Sequence, residues 1–215
     1  MATTTLGPHL RPRKQPRQRR AHETRARILD AARAVFGEHG YAHGTTNRIA
    51  EAAGLSVGSL YQYFPNKDAI LVELVDVHIE AGTVAVLGAL PPEGTDDWDA
   101  IPLAAIIGPV VSAMVALHAD GRRLHRVLFE EAPRPPEQLA RLRTLERDLT
   151  TMLATRLASH PEVTATDPEL AARLTIDTIE SLVHRIATDA AAPVADDVLA
   201  AEITRLVVAY LTAPG

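Results

Sequence analysis

The 215-residue sequence contains no cysteine, which excludes a disulfide framework, a thiolate metal site and a thiol nucleophile. Aromatic residues make up only 4%, with a single tryptophan, while alanine is abundant. That balance favours helices packed through small residues over a β-sandwich rich in Val, Tyr and Thr. No alternating polar and apolar run bounded by turn signals occurs, so an all-α fold is expected, and 47% apolar content is ample for a buried core. No uninterrupted apolar stretch approaches the roughly 18 residues of a membrane span. The first twenty residues also lack the apolar segment of a signal peptide, so a cytoplasmic location away from membranes is expected. There is no Gly-x-Ser-x-Gly, no phosphate-binding loop and no dinucleotide fingerprint. The sequence therefore gives no support to an enzyme and calls for no cofactor.

What is present is charge of unequal distribution. Residues 1–67 hold eleven Lys or Arg against four Asp or Glu, a net of +7, and the remaining 148 hold eleven against twenty-three, a net of −12. Such a layout draws a polyanion to one end and repels it from the other, orienting the encounter. Six of the basic residues, Arg11, Arg13, Lys14, Arg17, Arg19 and Arg20, fall in residues 1–20 among Pro8, Pro12 and Pro16. This segment reads as a disordered basic arm, either a solvated tail or an arm adding phosphate or minor-groove contacts.

Residues 45–67, TTNRIAEAAGLSVGSLYQYFPNK, organise the rest. Ile49, Ala50 and Ala53 give a first short helix one small apolar face, Thr45 is placed to cap it, and Gly54 follows where a helix end wants positive φ. Ser56 is placed to cap a second helix whose buried side is Leu60 and Phe64. The remaining positions of that helix, Val57, Gly58, Ser59, Tyr61, Gln62 and Tyr63, are small, polar or hydroxyl-bearing, without a carboxylate. A helix of that kind can lie in a DNA major groove, about 12 Å wide, and touch base edges. Upstream, Ile28, Ala32, Val35 and Phe36 mark an amphipathic helix over about 22–39 ended by Gly40, with Tyr41 filling the same core. Downstream, Asn66 can cap a helix that runs through Ile70, Leu71, Leu74, Val77 and His78 to about Leu87, and Asp68 suits its first turn.

Thr45-Thr46-x-x-Ile49-Ala50 and Ala53-Gly54-Leu55-Ser56-Val57-Gly58-Ser59-Leu60-Tyr61-x-Tyr63-Phe64-x-Asn66-Lys67 resemble the helix-turn-helix of TetR-family transcriptional regulators. The resemblance implies a DNA-binding domain over 21–81 and a helical effector-binding and dimerisation domain over 82–215. It implies that Thr46, Tyr63 and Lys67 hold phosphates, that Asn47, Val57, Gly58, Ser59 and Tyr61 sit in or beside the groove, and that Thr45, Arg48 and Ser56 adjoin them. The partners implied are double-stranded DNA with a palindromic operator, a second copy of the chain and a small, largely apolar effector. Effector binding in this family moves the fourth helix, which makes a ligand-released repressor the expected function. An activator, a nonspecific architectural DNA binder, and a helical binding protein or enzyme that only retains the DNA-binding fold stay open.

Beyond the fourth helix the pattern is of helices alone, at about 99–119, 121–132, 136–159, 168–190 and 196–212, with an acidic linker around Trp98 before them. The last two have wide apolar surfaces and resemble the pair that forms the dimer interface in this family, which places Leu174, Thr178, Ser181, Leu182, Arg185, Ile203, Leu206, Val207 and Tyr210 there. A pair of helices packed inside one protomer is the plainer reading. Position and side-chain type put His78, Trp98, Met114, His118, His125 and Phe129 near an effector pocket. Asp177, Glu180 and His184 fall near one helix face, but no glutamate has a histidine three residues on, so they read as a polar stripe and no metal is expected.

Overall fold

The first helix, α1 (Pro16–His43), begins on a proline, whose missing N–H is no loss in a first turn. Pro16 thus starts a helix inside the segment expected to be a disordered arm. The computed structural model describes residues 16–92, 98–119, 122–187, 189 and 194–214, so most of that arm lies outside the described residues. Gly40 breaks α1 with φ 70° and ψ 177°, the point at which the sequence expected it to end. Gly44 then passes so close to Phe36 that a Cβ would fall 2.4 Å from a ring carbon.

The helix-turn-helix consists of α2 (Thr46–Ala52) and α3 (Val57–Tyr61), followed by α4 (Lys67–Ala89). After a 3-10 turn at Trp98–Ala100 come α5 (Leu103–Ala119), α6 (Arg122–Arg126), α7 (Pro136–Ser159), α8 (Pro168–Ala187) and α9 (Asp196–Thr212). No strand occurs among the described residues, and no helix there is long and apolar enough to cross a membrane. The helix expected from residue 99 starts four residues later, because the Glu162 carboxylate reaches the Leu103 amide at 3.2 Å and supplies its cap. The single helix expected over 121–132 is instead α6 followed by a π-helical turn at Val127–Glu131.

Two apolar cores result. The first gathers Ile28, Phe36, Ile49, Leu60, Phe64, Ile70, Leu71 and Leu74, and also Val127 and Leu128 from the π turn. Each large side chain fully buried there stabilises by roughly 1.5–3 kcal/mol. The second gathers Ile107, Val111 and Val115 of α5, Ile179 and Val183 of α8, and Leu199, Ile203, Val207 and Leu211 of α9. α4 contributes to the first core by its N-terminal half and packs along α5.

Candidate nucleic-acid interface and the interior behind it

Side-chain caps start all three helices of this region. Thr45 Oγ accepts from the Arg48 amide at 3.3 Å, Ser56 Oγ from the Ser59 amide at 3.1 Å, and Asn66 Oδ1 from the Ala69 amide at 2.8 Å. The turn between α2 and α3 depends on Gly54 at φ 64°, where an L side chain is strained. There Leu55 N–H donates to the Ala50 carbonyl at 2.9 Å. From α1, Arg27 reaches across and donates to the Ala53 carbonyl at 2.6 Å, a brace for which the sequence offered no signal.

With Ile49, Ala50, Leu60 and Phe64 turned inward, Thr45, Asn47, Arg48, Ser56, Gly58 and Tyr61 are left exposed. Thr46, Ser59 and Lys67 are half-buried beside them. Tyr61 is 51% exposed, its hydroxyl 3.2 Å from Thr46 Oγ1, so two expected contacts act as one hydroxyl pair. The Ser56 and Ser59 hydroxyls are likewise 2.8 Å apart. Arg48 donates to His39 Nε2 at 2.9 Å. Lys67 donates to the Tyr41 carbonyl at 2.8 Å with its ammonium 3.9 Å from that ring's centre, which holds its charge at the start of α4. Tyr41 in turn donates to Asp68, a bond that, with burial, raises its hydroxyl to about 12. Val57 and Tyr63 differ from expectation in degree: both are half-buried and pack against the first core, so their side chains are only partly free for a groove.

Residues 28–74 match the family profile described as bacterial regulatory proteins, tetR family, and residues 102–211 match the Tetracyclin repressor-like, C-terminal domain. The chain belongs to the TetR family. It is a helix-turn-helix transcriptional regulator that binds DNA. It is 26% identical over 175 residues to the HTH-type transcriptional regulator UidR of Escherichia coli K12, covering 80% of this chain and 84% of that one. It is 38% identical over 74 residues to the transcriptional repressor KstR of Mycobacterium tuberculosis, 32% of this chain and 34% of that one. In fold it is similar to a tetR-family regulatory protein from Rhodococcus RHA1, with TM-score 0.69, 24% identity, and coverage of 88% and 97% of the two chains. The fatty acid degradation regulator FadR from Bacillus halodurans is also similar, at TM-score 0.65, 22% identity, and 91% and 96% coverage.

Behind the TetR-type helix-turn-helix, four of the six residues expected at an effector pocket come together. His78 of α4, His118 of α5, His125 of α6 and Phe129 of the π turn pack ring against ring, with most centres 4.2–5.5 Å apart. His184 of α8 joins them, 4.7 Å from His118 and 4.9 Å from His125. The sequence groups it with Asp177 and Glu180, but Asp177 faces Arg173 at 3.8 Å instead. Only tertiary packing unites rings so far apart in the chain. Burial, and then the neighbouring rings, hold His78 and His118 down to about 4 and His125 to about 2; burial also lowers His184. All are neutral imidazoles at neutral pH.

The other two expected pocket residues lie elsewhere. Trp98 sits beneath the Arg156 guanidinium, 4.7 Å from its ring centre, at the α5–α7 contact. The Met114 side chain packs toward the second core. Because the rings touch, they do not surround a chamber for a drug-sized molecule. A cleft of about 740 Å³ lies between α5 and α9, lined by Ala104, Gly108, Ser112, Thr204, Val208 and their neighbours.

Of the residues expected at a dimer interface, Ile203 and Val207 are corrected: each is 2% exposed, filling the protomer's own second core. Ile203 and Val207 lie one turn apart on the inner side of α9, and that side meets α5 and α8. Leu206 and Tyr210 point outward at 51% and 42% exposure, and Leu174 on α8 at 40%. Ser181 and Arg185 are also exposed, and Thr178 and Leu182 half-buried.

Proposed function

We propose that this TetR-family regulator is a repressor that binds a palindromic operator as a homodimer and is released by a small, largely apolar effector. The observation that carries the reading is the course of α4. It leaves the helix-turn-helix at Lys67, crosses the first core through Ile70, Leu71 and Leu74, and carries His78 into the interior of the C-terminal helices. A shift of α4 therefore moves α3. Operator contacts are assigned to Thr45, Thr46, Asn47, Arg48, Ser56, Gly58, Ser59, Tyr61 and Lys67, with Val57 and Tyr63 supporting them. One five-residue α3 reads only a few base pairs. Two related by a two-fold axis read both halves of a palindrome, and the outward Leu174, Leu206 and Tyr210 supply an apolar face for that pairing.

The α5–α9 cleft is the candidate effector site, since its volume falls within the roughly 300–1,000 Å³ of small-molecule sites and it borders α5, the helix packed along α4. Selection of bound duplexes from a random library at about 0.15 M salt tests the reading. The expected result is an enriched palindrome with half-sites about one helical turn apart. Binding without any enriched sequence, lost steeply as salt rises, overturns it.

A further inference from the structure

The convergence of histidines from α4, α5, α6 and α8 has a chemistry that a packed apolar interior does not need. The ligand nitrogens of His78, His118 and His125 all lie within 4.8 Å of one another. His78 Nε2 and His125 Nε2 are 3.3 Å apart. Two imidazoles bound to one tetrahedral ion at about 2.0–2.1 Å have their nitrogens about 3.3 Å apart, so that spacing already fits. His118 Nδ1 lies 2.6 Å from the Met114 carbonyl. A carbonyl only accepts, so the proton is on Nδ1 and the lone pair on Nε2. That Nε2 is buried without a hydrogen-bond partner, in a residue only 1% exposed. His184 Nδ1 donates to the Glu180 carbonyl at 2.8 Å, which fixes the same tautomer. A backbone carbonyl holding one ring nitrogen while the other faces a shared centre is the second-shell pattern of metal-bound histidine.

We propose that His78, His118 and His125 form a binding site for one divalent transition-metal ion of the imidazole-preferring class, Zn2+ or Ni2+, with the His184 ring packed against His118 and His125 beside it. The donor set excludes Mg2+ and Ca2+, which take oxygen ligands. Arg33 bears on His78 and Arg134 on His184, so the ion is selected by nitrogen chemistry and not by surrounding negative charge. Binding neutral imidazoles to the ion satisfies the stranded His118 nitrogen and replaces the hydrogen bond between the Nε2 atoms of His78 and His125.

The test uses the untagged full chain, stripped with a chelator and titrated calorimetrically with Zn2+ and with Ni2+ in the absence of DNA. One ion per protomer is expected, with affinity at least about 100-fold weaker in His78→Gln and His125→Gln, since losing a ligand should cost no less than losing an outer-shell partner. The double variant His22→Gln/His43→Gln, which removes exposed histidines outside the cluster, should bind as the parent does. X-ray absorption of the Zn2+-loaded parent chain needs no variant and should read at least three imidazole ligands. No saturable binding, equal binding by the cluster variants, or fewer than three imidazoles around the ion would overturn the site. Because no DNA enters these measurements, failure of the operator reading would leave their outcome unaffected.

Discussion

At the scale of single residues, tolerance is set by what a side chain faces. Gly44→Ala would put a methyl 2.4 Å from the Phe36 ring and 2.9 Å from the Gly40 carbonyl. It should cost about 1–3 kcal/mol in urea unfolding, the range for overpacked cores. The imidazole cluster makes the metal-free chain sensitive to acid. His78, His118 and His125 titrate in the folded state at about 4, 4 and 2, below the ordinary value of about 6.5. The unfolded chain thus binds more protons in that window. Their stabilising contribution is complete above about 6.5 and is lost as pH falls toward 4 and below. Urea midpoints measured from pH 7 to pH 4 without metal should fall, and a flat profile would contradict the burial of these rings. The caps at Thr45, Ser56 and Asn66 and the glycine at 54 were legible in the sequence, because a cap is a local relation over three residues. The meeting of His184 with His118 and His125 was not, because no local spacing encodes it.

Among the elements, α4 is held from several sides. Gln138 of α7, 2% exposed, donates to the Val72 carbonyl at 3.1 Å and to Asp76 at 2.9 Å. Arg141 grips the same Asp76 through both carboxylate oxygens at 2.9 and 2.7 Å, but is largely exposed. Arg141→Ala should therefore cost at most about 1 kcal/mol. Gln138→Ala, which removes two hydrogen bonds made by a side chain only 2% exposed, should cost about 1–3 kcal/mol, and chemical denaturation of the two variants distinguishes them. Helix positions from α7 to α9 were readable from the sequence pattern, with Pro136 and Pro168 standing at the first positions of α7 and α8. The π turn after α6 was not, since Val127, Leu128 and Phe129 read as an unbroken helical run. The turn re-aims these residues, Val127 and Leu128 into the first core and Phe129 onto the histidines. As a test of the proposed effector site in the α5–α9 cleft, Gly108→Phe should abolish the proposed release by effector while leaving operator affinity intact, as read by fluorescence anisotropy with and without effector.

For the molecule as a whole, the basic and acidic ends make DNA binding fall steeply with salt. Deleting residues 1–15, which hold Arg11, Arg13 and Lys14, should lower the slope of log K against log salt by about one per lost phosphate contact, equally for all sequences. Replacing Leu206 and Tyr210 by Glu should convert the proposed dimer to monomers in sedimentation and remove most operator affinity, because charge would then stand on the apolar face. That face was legible as apolar periodicity on α9, yet periodicity could not distinguish the inner Ile203 and Val207 from the outer Leu206 and Tyr210. The helix-turn-helix likewise appeared in the sequence as an independent unit ending near residue 81. In the folded chain Val127 and Leu128 are part of its floor. Anyone grafting this DNA reader onto a foreign sensor by cutting after α4 would remove two buried side chains, 0% and 5% exposed, from beneath α1 and α4. A working chimera must carry α6 and the π turn after it along, or be given a donor whose own segment there presents an equivalent apolar pair.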